Sequence, residues 1–263
     1  MIDDTAPKPA GTARMDWPTL RGLARSMAIY YGVPGRSMRL RRFYRTFLKP
    51  GDLYFDIGAH VGHRIRAARA VGATVVGVEP QPACFSLLSK LYGRDAGTTL
   101  IQAAVGAENG ELALQISSAT PTVTTVNADW MQTVKRDPGF AAVNWDRSVT
   151  VPATTLDTLI TRHGVPVFCK IDVEGHEPAV LAGLSTPIPF VTVEALPAAP
   201  ESAIVCMQRL TALGPYDFNL MRGESPRLAF DNWTDADTMA ERLTTEKRSG
   251  DIIARLDTSA IRR

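Results

Sequence analysis

Apolar positions recur at two different periods along this chain, and the change from one to the other marks its organisation. Leu20, Leu23, Met27 and Tyr30 follow Trp17 at steps of three and four, the spacing of one helix face. The run Gly32-Val33-Pro34-Gly35 stops that helix. Residues 38–48 predict a second helix, with Leu40, Phe43, Tyr44, Phe47 and Leu48 on one face. Arg39, Arg41, Arg42 and Arg45 surround that face and read as its solvated side. Pro50-Gly51 closes this helical prelude, residues 16–50, and sets off residues 51–263 as the main domain. Residues 1–15 mix Pro, Gly, Ala and Thr with charges, offer nothing to bury, and are expected to form a mobile tail.

Beyond Asp52 the pattern becomes short apolar runs separated by helical stretches. Strands are predicted at 52–57, 74–78, 99–105, 167–171 and 190–193, and helices at 65–71, 82–92, 155–162 and 177–184. Strands that are apolar throughout, alternating with helices, predict an α/β fold whose parallel sheet is covered on both faces. Residues 106–149 are less regular: 111–116 read as an extra strand, and 120–125 with 137–144 as a long loop. Loops of that length are often functional. Strands at 216–221, 227–230 and 251–256 predict an antiparallel addition to one sheet edge.

Composition adds limits rather than detail. The 263 residues are 45% hydrophobic and 21% charged, so a sizeable core is available and wholesale disorder is excluded. A formal net charge of +2 gives no field that selects nucleic acid or an anionic membrane. Cys84, Cys169 and Cys206 are odd in number and far apart, which suits a reducing compartment rather than a disulfide framework. No apolar run reaches the ~20 residues of a membrane span, and the acids Asp3 and Asp4 precede no apolar signal core. A cytoplasmic protein is expected.

Candidate chemistry gathers where strands end. In a doubly wound sheet, ligands bind beyond the carboxyl ends of the strands, and four predicted ends carry an acid: Asp56, Glu79, Asp172 and Glu194. The turn Asp56-Ile57-Gly58-Ala59-His60-Val61-Gly62 has one glycine for close ligand approach and another for helix packing, but fails the dinucleotide pattern GxGxxG. An acid before the glycines suits an ammonium or hydroxyl better than a pyrophosphate. Glu79, before Pro80, is placed to accept both hydroxyls of a ribose. If its side chain faces the cleft, its removal should hardly change stability. Asp56-x-Gly58 paired with Glu79 favours a nucleoside with an amino-acid tail, for which S-adenosylmethionine is the obvious candidate. The densest run, Lys170-Ile171-Asp172-Val173-Glu174-Gly175-His176-Glu177, reads as a catalytic turn beside the reactive carbon. By alternation Lys170 and Asp172 share a side.

These segments, with Thr155-Leu156-Asp157-Thr158-Leu159, resemble the FkbM family of S-adenosylmethionine-dependent methyltransferases, in order from about Asp52 to Val193. One departure is His60, where the family more often has Asn. The resemblance implies a class I, Rossmann-like fold whose seven-stranded, mostly parallel sheet ends in an antiparallel strand. It also implies O-methylation of a sugar, glycan or polyketide-type hydroxyl. Cofactor contacts are expected at Asp56, Gly58, Ala59, His60, Gly62, Glu79, Pro80, Ala104 and Asp172, and acceptor contacts at Glu194. Among Lys170, Asp172, Glu174 and His176, Asp172 is expected to be essential and His176 to take the acceptor's proton, its pKa lying near neutrality. Asp172, Glu174 and Glu194 are carboxylates of the kind that hold Mg²⁺, yet no metal is expected. Two other readings stay open: a nucleotide-dependent oxidoreductase, and a non-catalytic module that keeps the fold.

Overall fold

A computed structural model describes residues 16–137 and 140–257; the expected tail at 1–15 and positions 138–139 of the expected loop lie outside them. After α1 (Trp17–Tyr31) and α2 (Arg36–Tyr44) come β1 (Leu53–Ile57), α3 (His63–Arg69), β2 (Thr74–Val78), α4 (Pro82–Tyr92) and β3 (Thr98–Ile101). The middle of the chain holds β4 (Ala104–Val105), β5 (Gly110–Ile116), α5 (Ala128–Val134) and β6 (Arg147–Thr154). Alternation resumes with α6 (Leu156–His163), β7 (Phe168–Ile171), α7 (Glu177–Ala182) and β8 (Phe190–Ala195). It ends with α8 (Pro200–Leu213), β9 (Tyr216–Arg222), α9 (Ala236–Thr245) and β10 (Gly250–Leu256).

The main sheet has seven strands in the order β3-β2-β1-β7-β8-β10-β9, and β4-β6-β5 form a small second sheet. The first five strands of the main sheet run parallel, while β10 enters antiparallel between β8 and β9. This is the class I methyltransferase arrangement, with the antiparallel edge that the tail's pattern predicted.

Strand alternation divides the core in two. Phe55, Ile57, Val76, Val78, Cys169, Ile171, Val191 and Val193 face one way, into a core with Leu159, Val180, Met207 and Met239 from α6–α9. Tyr54, Val75, Phe168 and Ile253 face the other way, against Leu40, Phe43 and Tyr44 of α2, Ile65 of α3 and Leu88 of α4. The prelude therefore covers the sheet. Tyr44 and Tyr54 join hydroxyls at 2.8 Å beneath it, and Tyr31 of α1 donates to the Val61 carbonyl at 2.9 Å.

Three expectations are corrected. The apolar run 99–105 is two strands, because the chain leaves the main sheet after Ile101 and pairs Ala104 with Ala153 in the small one. The irregular stretch 106–149 contains α5 and the first residues of β6 as well as a loop. Pro152 masked β6, since proline removes a ladder donor; its antiparallel neighbour β5 is paired throughout, but β4 reaches only Ala153 and Thr154. Residues 227–230 do not form a strand. A single bridge joins Met221 to Leu228, and the Asn219 side chain holds Phe230 by donating to its carbonyl at 2.8 Å and accepting from its N–H at 3.2 Å.

Phe168 is 1% exposed, with ring centroids 5.5 Å from Tyr44 and 5.7 Å from Phe47, so it ties the prelude to the sheet. Phe168→Ala should cost about 3–5 kcal/mol in urea denaturation. Trp17→Ala, at a side chain 70% exposed, should stay within about 0.5 kcal/mol of the parent. Equal costs would mean that the prelude docks elsewhere.

Candidate active site

The cleft forms where the carboxyl ends of β2, β1 and β7 meet. Asp172 donates its N–H to the Ile57 carbonyl at 2.9 Å, and the N–H groups of Gly58 and Ala59 reach the Val78 carbonyl at 2.9 and 3.1 Å. Gly58 has φ +83°, and a Cβ there would lie 1.8 Å from the Asp172 carbonyl oxygen. The glycine is thus required by the neighbouring strand as well as being open to a ligand. Gly62, at φ +78°, makes room for Leu88 and Tyr92 of α4 rather than for the helix that follows it directly.

Glu79 is 6% exposed and braces this turn. One carboxylate oxygen accepts from the His60 N–H at 2.7 Å and the other from the Gln81 N–H at 2.8 Å. Each oxygen keeps a lone pair for a ligand. Burial pushes the Glu79 pKa up to about 7, against the lowering effect of those two amides. The same brace holds His60 at φ +49°. Burial lowers the His60 imidazole to about 4, so it is neutral; Tyr30 of α1 meets it edge-on at 5.6 Å.

The second wall is the turn 172–177, tied down on both sides. The Glu177 carboxylate accepts from Val173 N–H at 3.0 Å and Gly175 N–H at 3.3 Å. Thr125 donates its hydroxyl to the Glu174 carbonyl at 2.7 Å, and Asn127 its amide to the Gly175 carbonyl at 2.6 Å. Gly175 has φ +87° because any Cβ would strike the Trp130 ring, 2.1 Å away. Residues 121–126 therefore lie over the cleft as a roof, joined at their other side by Gln81, which donates to the Thr124 hydroxyl at 3.2 Å.

Of the residues singled out in the sequence, Gly58, His60, Glu79, Pro80, Ala104, Asp172, Glu174 and His176 line this cleft, around about 570 Å³ of space open to solvent. Asp56, Ala59, Gly62, Lys170 and Glu194 are not in its lining. Ala59 belongs to the core under α3. Asp56 points into the sheet face beside Tyr54, whose hydroxyl is 3.4 Å away, and its second oxygen has no partner. Burial raises Asp56 to about 7 even though Arg64 and Lys170 oppose it. The sequence passed over the roof, apart from marking 120–125 as a functional loop, and it missed the apolar walls Val78, Ala103, Val105 and Leu114.

Below the turn lies a charged belt. Lys170, 1% exposed, reaches Asp251 at 2.7 Å and Asp172 at 3.4 Å. Arg64 of α3 adds a contact to Asp251 at 3.4 Å. Burial pushes the Lys170 ammonium down, but Asp172 and Asp251 outweigh it and hold the pKa above the ordinary lysine range. Burial likewise opposes ionisation of Asp172, yet Lys170 and Arg64 hold its carboxyl below its usual value. Asp172, Glu174 and Glu194 bring carboxylate oxygens within 4.8 Å of one another. Burial and this repulsion push Glu174 and Glu194 well above the usual range. Burial lowers His176, keeping it neutral.

The model of the methyltransferase FkbM domain matches residues 56–219, more than half of the 263. The chain belongs to the FkbM methyltransferase family. Its cofactor is accordingly S-adenosylmethionine. None of the curated protein sequences matches it. Similar solved structures include a TehB-like S-adenosylmethionine-dependent methyltransferase from Corynebacterium glutamicum, at 7% identity and TM-score 0.44 over 89% of this chain and 94% of that one. An O-methyltransferase from Bacillus cereus shares 12% identity at TM-score 0.41, over 90% of each chain. A precorrin-6y C5,15-methyltransferase from Geobacter metallireducens shares 13% at 0.41, over 84% of this chain and 87% of that one. At such distances these likenesses carry no argument about substrate.

The expectation that Glu79 can be removed at little cost to stability is overturned by the brace it forms in this FkbM chain. Glu79→Ala leaves two amide donors without their acceptor, each costing about 1–3 kcal/mol, so its melting temperature should fall clearly below that of the parent. Equal melting temperatures would assign Glu79 to the ligand alone. Asp56 gives a pH test. Its folded pKa of about 7 lies above its unfolded value, so the unfolded state loses the proton first and stability is lost as pH rises towards 7. Asp56→Asn lacks this loss and should gain stability relative to the parent between pH 5 and 8, on the order of a few kcal/mol. A pH-independent difference would show that Asp56 ionises freely.

Proposed function

We propose that this FkbM family member methylates a hydroxyl on a sugar, glycan or polyketide-type small molecule, in the cytoplasm. The observation carrying the proposal is a single cleft with an apolar slot at one end and a cluster of proton-accepting groups at the other. Val78, Ala103, Val105 and Leu114 suit a flat base, and the free lone pairs of Glu79 suit two ribose hydroxyls. The turn at Gly58 and His60 is open to the amino-acid tail. When bound, S-adenosylmethionine supplies a methyl group on a sulfonium, which is open to in-line attack.

The chain's own residues must then align an acceptor oxygen and remove its proton. Asp172, kept ionised by Lys170, orients the acceptor hydroxyl or a cationic group of the donor. The acceptor's hydroxyl proton would pass to His176 or to the Glu174–Glu194 pair. Such help is typically worth ~10²–10⁴ in rate. Glu194 stands behind Glu174 as the acceptor-side acid. The failed GxGxxG in the turn 56–62 weighs against a nicotinamide cofactor. Three buried, unpaired cysteines fit the reducing compartment.

S-adenosylhomocysteine should raise the melting temperature as ln(1 + [L]/Kd) requires, while NAD should leave it unchanged; the reverse would sink the proposal. With radiolabelled methyl donor and a panel of sugar and polyketide alcohols, Asp172→Asn and His176→Ala should each slow turnover at least ~10²-fold while S-adenosylhomocysteine still binds. Full turnover in His176→Ala would assign the proton to the glutamates. Full turnover in both variants would make the turn purely structural.

A further inference from the structure

A second concavity lies on the sheet face beside α2, and its chemistry differs from that of the cleft. It encloses about 1310 Å³ open to solvent, between α2 and the segment 226–233, with Phe190 of β8 and Arg255 of β10 as its floor. Arg39, Arg42, Arg227 and Arg255 line it together with the rings of Phe47 and Trp233. Arg255 is neutralised by Asp217 at 2.7 Å and lies 4.5 Å above the Trp233 ring. Arg39, Arg42 and Arg227 are exposed, and none of them has an ion pair or a side-chain hydrogen bond among the described residues. The nearby acid Glu224 is already taken by Arg36 at 2.8 Å. Three guanidinium groups with no protein counter-ion among the described residues thus face one groove and make it locally positive.

The groove is separate from the cleft. Phe43 and Pro226 line both the groove and a smaller recess that holds His63, Arg64 and Asp251, and neither shares a lining residue with the cleft. Arg255 pairs with Phe190, the first residue of β8, so the groove lies towards the amino ends of the parallel strands.

The geometry points to a nucleoside diphosphate as the occupant of this groove, a ligand site separate from the cleft. Guanidinium forks match phosphate oxygens in pairs, and a diphosphate has enough charge for all three free arginines. Trp233 and Phe47 offer ring faces to a nucleobase. The arginine run of α2 is then not wholly a solvated face: Arg39 and Arg42 border the groove, and Arg41 and Arg45 do not.

The test is calorimetric titration of the full chain, saturated with S-adenosylhomocysteine, using uridine diphosphate and inorganic pyrophosphate as probes. Both should bind, more weakly as salt is raised, and uridine diphosphate should bind more tightly. The double variant R39E/R42E changes only exposed side chains; it should weaken both probes at least about 10-fold and leave S-adenosylhomocysteine binding unchanged, whereas R41E should weaken neither. No binding to the parent, or equal loss in R41E, overturns the proposal, as does tighter binding of a short single-stranded RNA than of uridine diphosphate. If S-adenosylhomocysteine itself fails to bind while uridine diphosphate binds with the stated arginine dependence, the methyltransferase reading falls and the anion groove stands.

Discussion

Lys170 is 1% exposed, and its ammonium lies between carboxylates on two different strands, 3.4 Å from Asp172 and 2.7 Å from Asp251. The strand between them, β8, pairs Lys170 with Thr192 and Asp251 with Glu194. The lysine thus crosses β8 and joins the parallel part of the sheet to its antiparallel edge. Removing Lys170 would leave two carboxylates here with only the Arg64 contact to Asp251. Arg64 brings α3 into the same network, so the belt couples the helix after the first turn, the end of β7 and the closing strand β10. Apolar packing alone would fill this face equally well below the belt, where Phe168 and Ile253 do so. Charge sits only at the carboxyl ends, where a polar ligand must be met.

Two backbone contacts carry that order into the cleft. Gly58 lets the first turn lie against the Asp172 carbonyl, and Gly175 lets the turn 172–177 lie against Trp130 of the roof. Neither site has room for a Cβ, so the turn at 58–62, the turn at 172–177 and the roof pack directly against one another. Glu79 and Glu177 complete this packing by accepting backbone amides that would otherwise be buried without partners. Both carboxyls are held near pKa 7, so the bracing is sensitive to protonation in the range where enzymes work.

What the sequence shows of this follows from how local each cause is. β2 and α4 are bounded as predicted because a continuous β-branched run and a proline-led apolar helix need no distant partner. Gly58, Glu79, Asp172, Glu174 and His176 were readable because strand alternation places strand-end residues on one edge. Asp251 was not readable: it stands 81 positions from Lys170 and 187 from Arg64, and nothing near it in the chain marks it as a counter-ion. The misplacement of Asp56 has a similar cause. Its position at a strand end is that of a ligand contact, but alternation turns it into the face with Lys170, one row below the cleft. The break at Ile101 was hidden because Gln102 and Ala103 interrupt an apolar run too briefly to signal a change of sheet.

The belt also decides which carboxylate can take a proton in the proposed reaction. Three acids crowd within 4.8 Å, and full ionisation of all three is opposed by their mutual repulsion. Lys170 lies against Asp172, so the negative charge settles there and the proton is left to Glu174 and Glu194. Asp172 is then the poorest proton acceptor of the group and the best fixed anion. That suits orientation of a hydroxyl or attraction of a cationic donor. A proton released by the acceptor would find better bases in neutral His176 on one side and in the glutamate pair on the other. Because the glutamates repel each other, they titrate as a pair rather than as two independent acids. In the proposed reaction the same lysine that joins the sheet edge would separate the anion that positions from the groups that accept the proton.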